Sequence, residues 1–205
     1  VASRKLFAEL QLDALREVGN IGAGHAATAL SRLLNKPIDM KVPSVDMVPF
    51  EEISEKVGGP EEVVIAIFLR VEGDATGNMF FILDQTSARS ILRRLVGLEW
   101  SGEDEWTEME WSALHEIGNI LAGSYLSSLA DLTGLHLTPS VPGLAFDMAG
   151  AILSYGILQF GVMGDHALLI ETAFLEERED IGGFCFFIPD PDSFEKLFQA
   201  LGVPV

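Results

Sequence analysis

The string Glu17-Val18-Gly19-Asn20-Ile21 returns as Glu116-Ile117-Gly118-Asn119-Ile120, a shift of 116 − 17 = 99 positions. Ala23-Gly24 follows the first copy and Ala122-Gly123 the second, and Val42-Pro43 recurs as Val141-Pro142 at the same offset. Further on, Gly77-Asn78-Met79-Phe80-Phe81-Ile82-Leu83-Asp84 resembles Gly183-Phe184-Cys185-Phe186-Phe187-Ile188-Pro189-Asp190. A duplication of this extent confines the chain to folds made of two copies of one unit.

Hydrophobic spacing predicts a long helix over 5–35, its buried stripe formed by Leu12, Leu15, Val18, Gly22, Ala26, Ala29 and Leu33. Asn35-Lys36-Pro37 should stop it. The second copy begins at Thr107, an N-cap with Glu110 three residues on, and its stripe is Leu114, Ile117, Leu121, Leu129 and Leu132. Thr133-Gly134 should end it. Residues 63–71, 151–160 and 167–172 read as strands, with hairpin turns expected at Gly73-Asp74 and Gly164-Asp165. Short amphipathic helices follow at 85–97 and 191–201. Each half thus reads as helix, three strands, helix, with repeat one at about 5–100 and repeat two at about 106–205. The junction 98–105 is short and acidic, with no Gly, Ser or Pro linker. The expectation is one pseudo-twofold α+β domain over 1–205, with a single mainly antiparallel sheet and the long helices packed on it.

Thirty-one acidic against 13 basic side chains give a formal charge of −18. Contacts to nucleic acid and anionic lipid are built on Lys and Arg, so neither is an expected partner. Such a surface suits proteins that carry basic residues around their own sites. Cys185, the lone cysteine, stands among Phe184, Phe186 and Phe187 and reads as a buried, inert thiol. The longest apolar run, 63–69, is too short to cross a bilayer, and the amphipathic start lacks an apolar signal core. A cytoplasmic location without membrane insertion is expected.

At about 100° per residue, Asp13, Glu17, Asn20 and Gly24 share one strip of the first helix, opposite its apolar stripe. Ser112, Glu116, Asn119 and Gly123 occupy the same strip of the second. An exposed Glu followed by Asn is by itself an ordinary solvated face. Gly, however, costs about 1 kcal/mol relative to Ala in a helix interior, and both copies keep Gly-Asn and Ala-Gly there. At Gly22 and Gly118 close packing is the simple explanation. On the polar strip, Gly24 and Gly123 offer a bare backbone to an approaching partner. An Asn amide can hold a water through its acceptor and donors but cannot act as a general base near neutral pH. A neighbouring Glu can pair with a Lys or Arg. This is an incomplete active site, and its other half would have to arrive on another macromolecule.

Two instances of Asp/Ser-x-x-x-Glu-x-x-Asn, each followed 23 positions later by Pro, are present: Asp13, Glu17, Asn20 and Pro43, then Ser112, Glu116, Asn119 and Pro142. The pattern resembles the CheC-type phosphatases of bacterial and archaeal chemotaxis, related to CheX and to the flagellar switch protein FliY. The resemblance implies hydrolysis of the acyl phosphate of the response regulator CheY. It implies that Glu17 or Glu116 pairs with a CheY lysine and that Asn20 or Asn119 orients the attacking water. The chain would bring no cofactor of its own, since Mg²⁺ and the phosphorylated Asp belong to CheY. Two motifs per chain fit the CheC layout, because CheX-type proteins carry one and FliY-type proteins append further segments. That layout also implies the receptor deamidase CheD as a partner. From another functional class comes the alternative of a non-catalytic adaptor that docks CheD or CheY through the same helices.

Other features carry less. His25, His115, His136 and His166 are scattered without metal-ligand spacing, and a structural or surface role is expected of each. Gly19-Asn20-Ile21-Gly22-Ala23-Gly24 lies within a helix, so it is no dinucleotide loop. Trp100, Trp106 and Trp111 are expected to pack at the seam between halves, with a binding patch as the alternative. The segment 143–150 has no evident counterpart after Pro43. It reads either as a core strand or helix, or as an interaction loop with Phe146 and Asp147 as contacts for CheD.

Overall fold

Reciprocal side-chain bonds start the second long helix where the sequence predicts. Thr107 Oγ1 accepts from the Glu110 amide at 3.2 Å, and Glu110 Oε2 accepts from the Thr107 amide at 2.8 Å. Gly134, with φ +68°, ends it. This helix, α4 (Glu108–Thr133), packs against its counterpart α1 (Ala2–Leu34). The computed structural model describes residues 2–98, 105–160, 166–175 and 181–201.

The first half continues through β1 (Met40–Lys41), β2 (Val45–Pro49), a short turn of helix with α2 (Ile53–Lys56), β3 (Val63–Gly73), β4 (Gly77–Asp84) and α3 (Gln85–Ile91). The second repeats that order with β5 (Leu137–Pro139), β6 (Gly143–Met148), α5 (Ala149–Phe160), β7 (His166–Phe174), β8 (Ile181–Pro189) and α6 (Pro191–Ala200). All pairings in the eight-stranded sheet are antiparallel, and its main path runs β1-β7-β8-β4-β3-β5. β2 pairs with β7 and β6 with β3, so each half lends strands to the long hairpin of the other. The registers correspond: Val45 faces Ile170 as Leu144 faces Ile67. The pseudo-twofold passes between β4 and β8, and the two halves form one interlocked α+β domain.

Alternation on the strands buries both faces of the sheet. Ile65, Ile67, Leu69 and Val71 join the core beneath α1, α4, α3 and α6. Val64 and Ala66 join Ile53 of α2 and Ile152 and Leu153 of α5 on the other side. Each buried Val, Leu or Ile side chain among these contributes about 1.5–3 kcal/mol. Cys185 lies in the first of these cores, and burial pushes its thiol up to about 12, which keeps it protonated and inert.

Several expectations are corrected. Residues 151–160 form helix α5 rather than a strand. The run is mostly apolar, broken only by Ser154 and Gln159, and shows no alternation; Ala149, Ile152 and Leu153 meet the sheet at three- and four-residue steps. Among the described residues each half has four strands, not three, because β1 and β5 are very short and β2 and β6 pair across halves. Segment 143–150 does have a counterpart: β6 and α5 answer β2 and α2, and sequence divergence hides the match. Leu33 and Leu132 lie off the buried stripe, at 54% and 41% exposure, while Leu30 is fully enclosed. Gly73 makes the expected turn with φ +116°. Gly164-Asp165 and Trp100 lie outside the described residues.

Gly22 sets how closely the long helices approach. A Cβ there would come within 2.4 Å of the Tyr125 ring, whose hydroxyl shares a 2.7 Å bond with Thr172. Four residues before Gly22, the Val18 carbonyl accepts from Ser128 Oγ at 2.9 Å, so α1 and α4 run antiparallel. Gly22→Val should lower the unfolding free energy by about 1–3 kcal/mol through overpacking, measured by urea titration. An unchanged midpoint would mean that the helices separate freely.

Asp190, ahead of α6, accepts from both ends of the Arg70 guanidinium and from Thr76 Oγ1. Partial burial pushes its carboxyl up, yet these hydrogen bonds and the Arg70 charge hold it below the usual value. A lowered native value stabilises the fold above about pH 4 and loses that contribution as the carboxyl protonates. Asp190→Asn should therefore unfold in less urea at pH 7, with the gap to wild type closing as pH falls below about 4. A gap independent of pH would exclude the ion pair as its source.

Candidate functional site

The motif strip is positioned by what the other sides of each helix touch. On α1, Gly22 meets α4, while Gly19 turns to the sheet, where a Cβ would lie 3.4 Å from Ile170 and from Val42. About 100° further round, Asn20 points away from both, and Asp13, Glu17 and Gly24 are exposed with it. On α4, Gly118 rides on Ile67, which its Cβ would approach within 2.8 Å. Ser112, Glu116 and Asn119 are exposed there, and Gly123 is half-buried. No side chain or foreign backbone lies within 4 Å of where a Cβ on Gly24 or Gly123 would stand. The glycines of the repeat thus divide by role: Gly19, Gly22 and Gly118 seat the helices, and Gly24 and Gly123 leave the strip open.

The strips lie on the outer flanks of the helix pair and face away from each other. Beside each runs a loop carrying the motif proline. Pro43 lies between β1 and β2, where Val42 and Val45 close on Gly19. Pro142 lies between β5 and β6, and His115 Nε2 donates to its carbonyl at 3.1 Å. Asp13 accepts from Arg16 at 3.2 Å on an exposed surface, a pair worth little in water.

An aromatic groove opens beside the head of the second strip. Trp111, Ser112, His115, Leu144 and Phe146 line an open groove of about 540 Å³. Phe146, 40% exposed on β6, stands 6.1 Å from Trp106 and 6.0 Å from Trp111, centroid to centroid. Trp106 and Trp111 gather Phe146, and the Arg89 guanidinium of the first half lies 4.2 Å from the centre of the Trp106 ring, so this pair packs where the halves meet while Trp111 also lines the groove. Asp147 is exposed beside it, its carboxylate accepting from the Met148 amide at 2.7 Å. The bond from His115 escapes sequence reading, because the backbone fold brings together positions 27 apart. The Arg70–Asp190 tie, between positions 120 apart, escapes it for the same reason.

Chemically, each strip offers a carboxylate, an amide and an open backbone on a long helix. Among the described residues no three His, Cys, Asp or Glu side chains gather as a metal site. No described helix is long and apolar enough to cross a membrane.

Fold and site together define a duplicated α+β protein that presents the same Glu-Asn pair on two equivalent helices. A model of the CheC-like family matches residues 10–46 and 109–145, once in each half and across each motif. The CheY-P phosphatase CheC of Bacillus subtilis (strain 168) is 49% identical over 201 residues, 95% of each chain. The flagellar motor switch phosphatase FliY of the same organism is 32% identical over 137 residues, 66% of this chain and 35% of FliY. The crystal structure of Thermotoga maritima FliY superposes with a TM-score of 0.69 at 20% identity, covering 94% of this chain and 96% of that one. The chain belongs to the CheC-like family.

Proposed function

We propose that the protein is a phosphatase of phosphorylated CheY, with Glu17 and Asn20 forming one site and Glu116 and Asn119 the other. The observation that carries this reading is the exposed Glu-Asn pair, present twice on rigid helices with a proline loop alongside. The name of the half-identical Bacillus relative supports the substrate. In each site the Glu carboxylate pairs with a lysine of the docked regulator. The Asn Oδ1 accepts from a water and aims it at phosphorus. The water oxygen forms the new P–O bond and the acyl P–O bond breaks, its electron pair leaving with the regulator's Asp carboxylate. A Mg²⁺ ion held by the regulator would supply charge neutralisation at the phosphoryl oxygens. Such transfer depends on positioning and charge stabilisation rather than on acid–base chemistry, so an amide is sufficient.

The test is the lifetime of phosphorylated CheY with wild-type protein and with the Asn20→Ala/Asn119→Ala variant. Wild type should shorten it, and the double variant should lose at least about 10²-fold in rate. Both replaced side chains are exposed, so the unfolding midpoints should agree. No acceleration by wild type would favour the adaptor alternative.

We also propose CheD as a second partner, with Phe146 and Asp147 of β6 as its contacts. Phe146 offers an anchor that is supported by two tryptophans yet partly open, and Asp147 adds an exposed charge. Phe146→Ala should weaken CheD binding by about tenfold or more in a titration, the loss typical of an anchor residue. Unchanged affinity would remove β6 from the interface.

A further inference from the structure

We infer that His115 is a positioning residue for the α4 site, and that this site therefore takes its regulator more tightly than the α1 site does. The inference rests on the phosphatase reading and deepens it. His115 follows Ser112 by three residues and precedes Glu116 by one, yet its ring turns from the strip to the loop beside it. There Nε2 donates to the Pro142 carbonyl at 3.1 Å. A carbonyl oxygen only accepts, so Nε2 carries a proton in this bond. The ring is half-buried and also lines the groove with Trp111, Leu144 and Phe146. A single side chain thus joins α4, the proline loop and the groove wall.

The duplication supplies the comparison. At the position equivalent to His115, 115 − 99 = 16, stands Arg16. Arg16 turns to Asp13 of its own strip, in a pair whose side chains are 54% and 68% exposed. The Asp13 carboxylate at the head of the first strip is therefore shared with an internal cation. Ser112, at the head of the second, carries no charge and opens directly onto the groove. A regulator docking on α4 meets a loop already tied in place by His115; on α1 the equivalent side chain, Arg16, turns along its own helix to Asp13 instead. Asn119 is held by α4 itself, whose capping box and tie to Arg89 do not involve His115. Loss of the His115 bond should therefore loosen docking and leave the chemical step alone.

The experiment measures KM and kcat for dephosphorylation of CheY on single-site proteins. Asn20→Ala retains the α4 site and Asn119→Ala the α1 site, and the first should show the lower KM. Adding His115→Ala to the Asn20→Ala protein should raise KM about 3- to 10-fold, the net worth of one hydrogen bond, with kcat held. His115→Gln, whose amide reaches the same carbonyl, should restore KM. The Asn119→Ala protein carrying His115→Ala reports any general structural damage, because only the α1 site works there. The inference is overturned if KM does not move in the Asn20→Ala background, if it rises equally in both, or if Gln fails to restore it. An inactive Asn20→Ala protein beside an active Asn119→Ala one overturns it too. Wild-type protein that leaves CheY phosphorylated is a different failure, that of the phosphatase reading.

Discussion

Residues of β2 hydrogen-bond to β7, and residues of β6 hydrogen-bond to β3, so the short strands of each half complete the sheet of the other. The proline loops depend on this exchange. Pro43 belongs to the chain that leaves α1, yet the strand after it is anchored on Ile170 of the second half. Gly19 meets Val42, Val45 and Ile170 together, so one glycine senses its own loop and the other half's hairpin. Each helix and its proline loop therefore rest on strands of both halves. The central β4–β8 pairing, which joins the halves edge to edge, fixes the two long helices on a common face.

Sequence made the helices legible because their stripes are long and their caps chemically explicit. Thr107 with Glu110, and Gly134 after Thr133, acted as the sequence indicates. The strips were legible for the same reason: with one face of each helix apolar, the opposite face is determined. Elements without a period were not. Residues 151–160 are apolar at nearly every position, so only tertiary contact decides that Ala149, Ile152 and Leu153 share a face. The counterpart of 143–150 was hidden because β2 and β6 share almost no residues, though their registers agree. Backbone pairing outlives side-chain identity.

Where the halves diverge, the differences come in places that a rigid duplicate could not tolerate. The helix pair needs close approach at its crossing, and Gly22 supplies it against Tyr125, where the second helix has Leu121. Asp84 caps α3 by accepting from the Ser87 amide at 2.8 Å, whereas the matching Asp190 makes no side-chain cap and holds Arg70 instead. The same backbone thus carries a local cap in one half and a cross-sheet tie in the other. Arg16 and His115 follow that pattern at the strips: equivalent positions, one bonded along its own helix and one across to a loop.

Exposure of the strips is what a half-site requires. Burying a carboxylate without a partner is costly, so a Glu enclosed in the free protein would be neutralised or would destabilise the fold. On an open helix it stays solvated at no such cost. The penalty falls due when a partner covers it, and then a cation can arrive with the partner in the same step. Removing water at that moment also lowers the local dielectric, which strengthens the new ion pair and the hydrogen bond from a water to the Asn amide. The glycines beside the pair let the backbones approach without displacing a side chain. A surface of net charge −18 favours partners with basic sites and disfavours most others, so selection among partners begins before contact. On the phosphatase reading, long helices, open glycines and an exposed carboxylate are therefore one arrangement: geometry is held in the free state and the electrostatics are completed on docking.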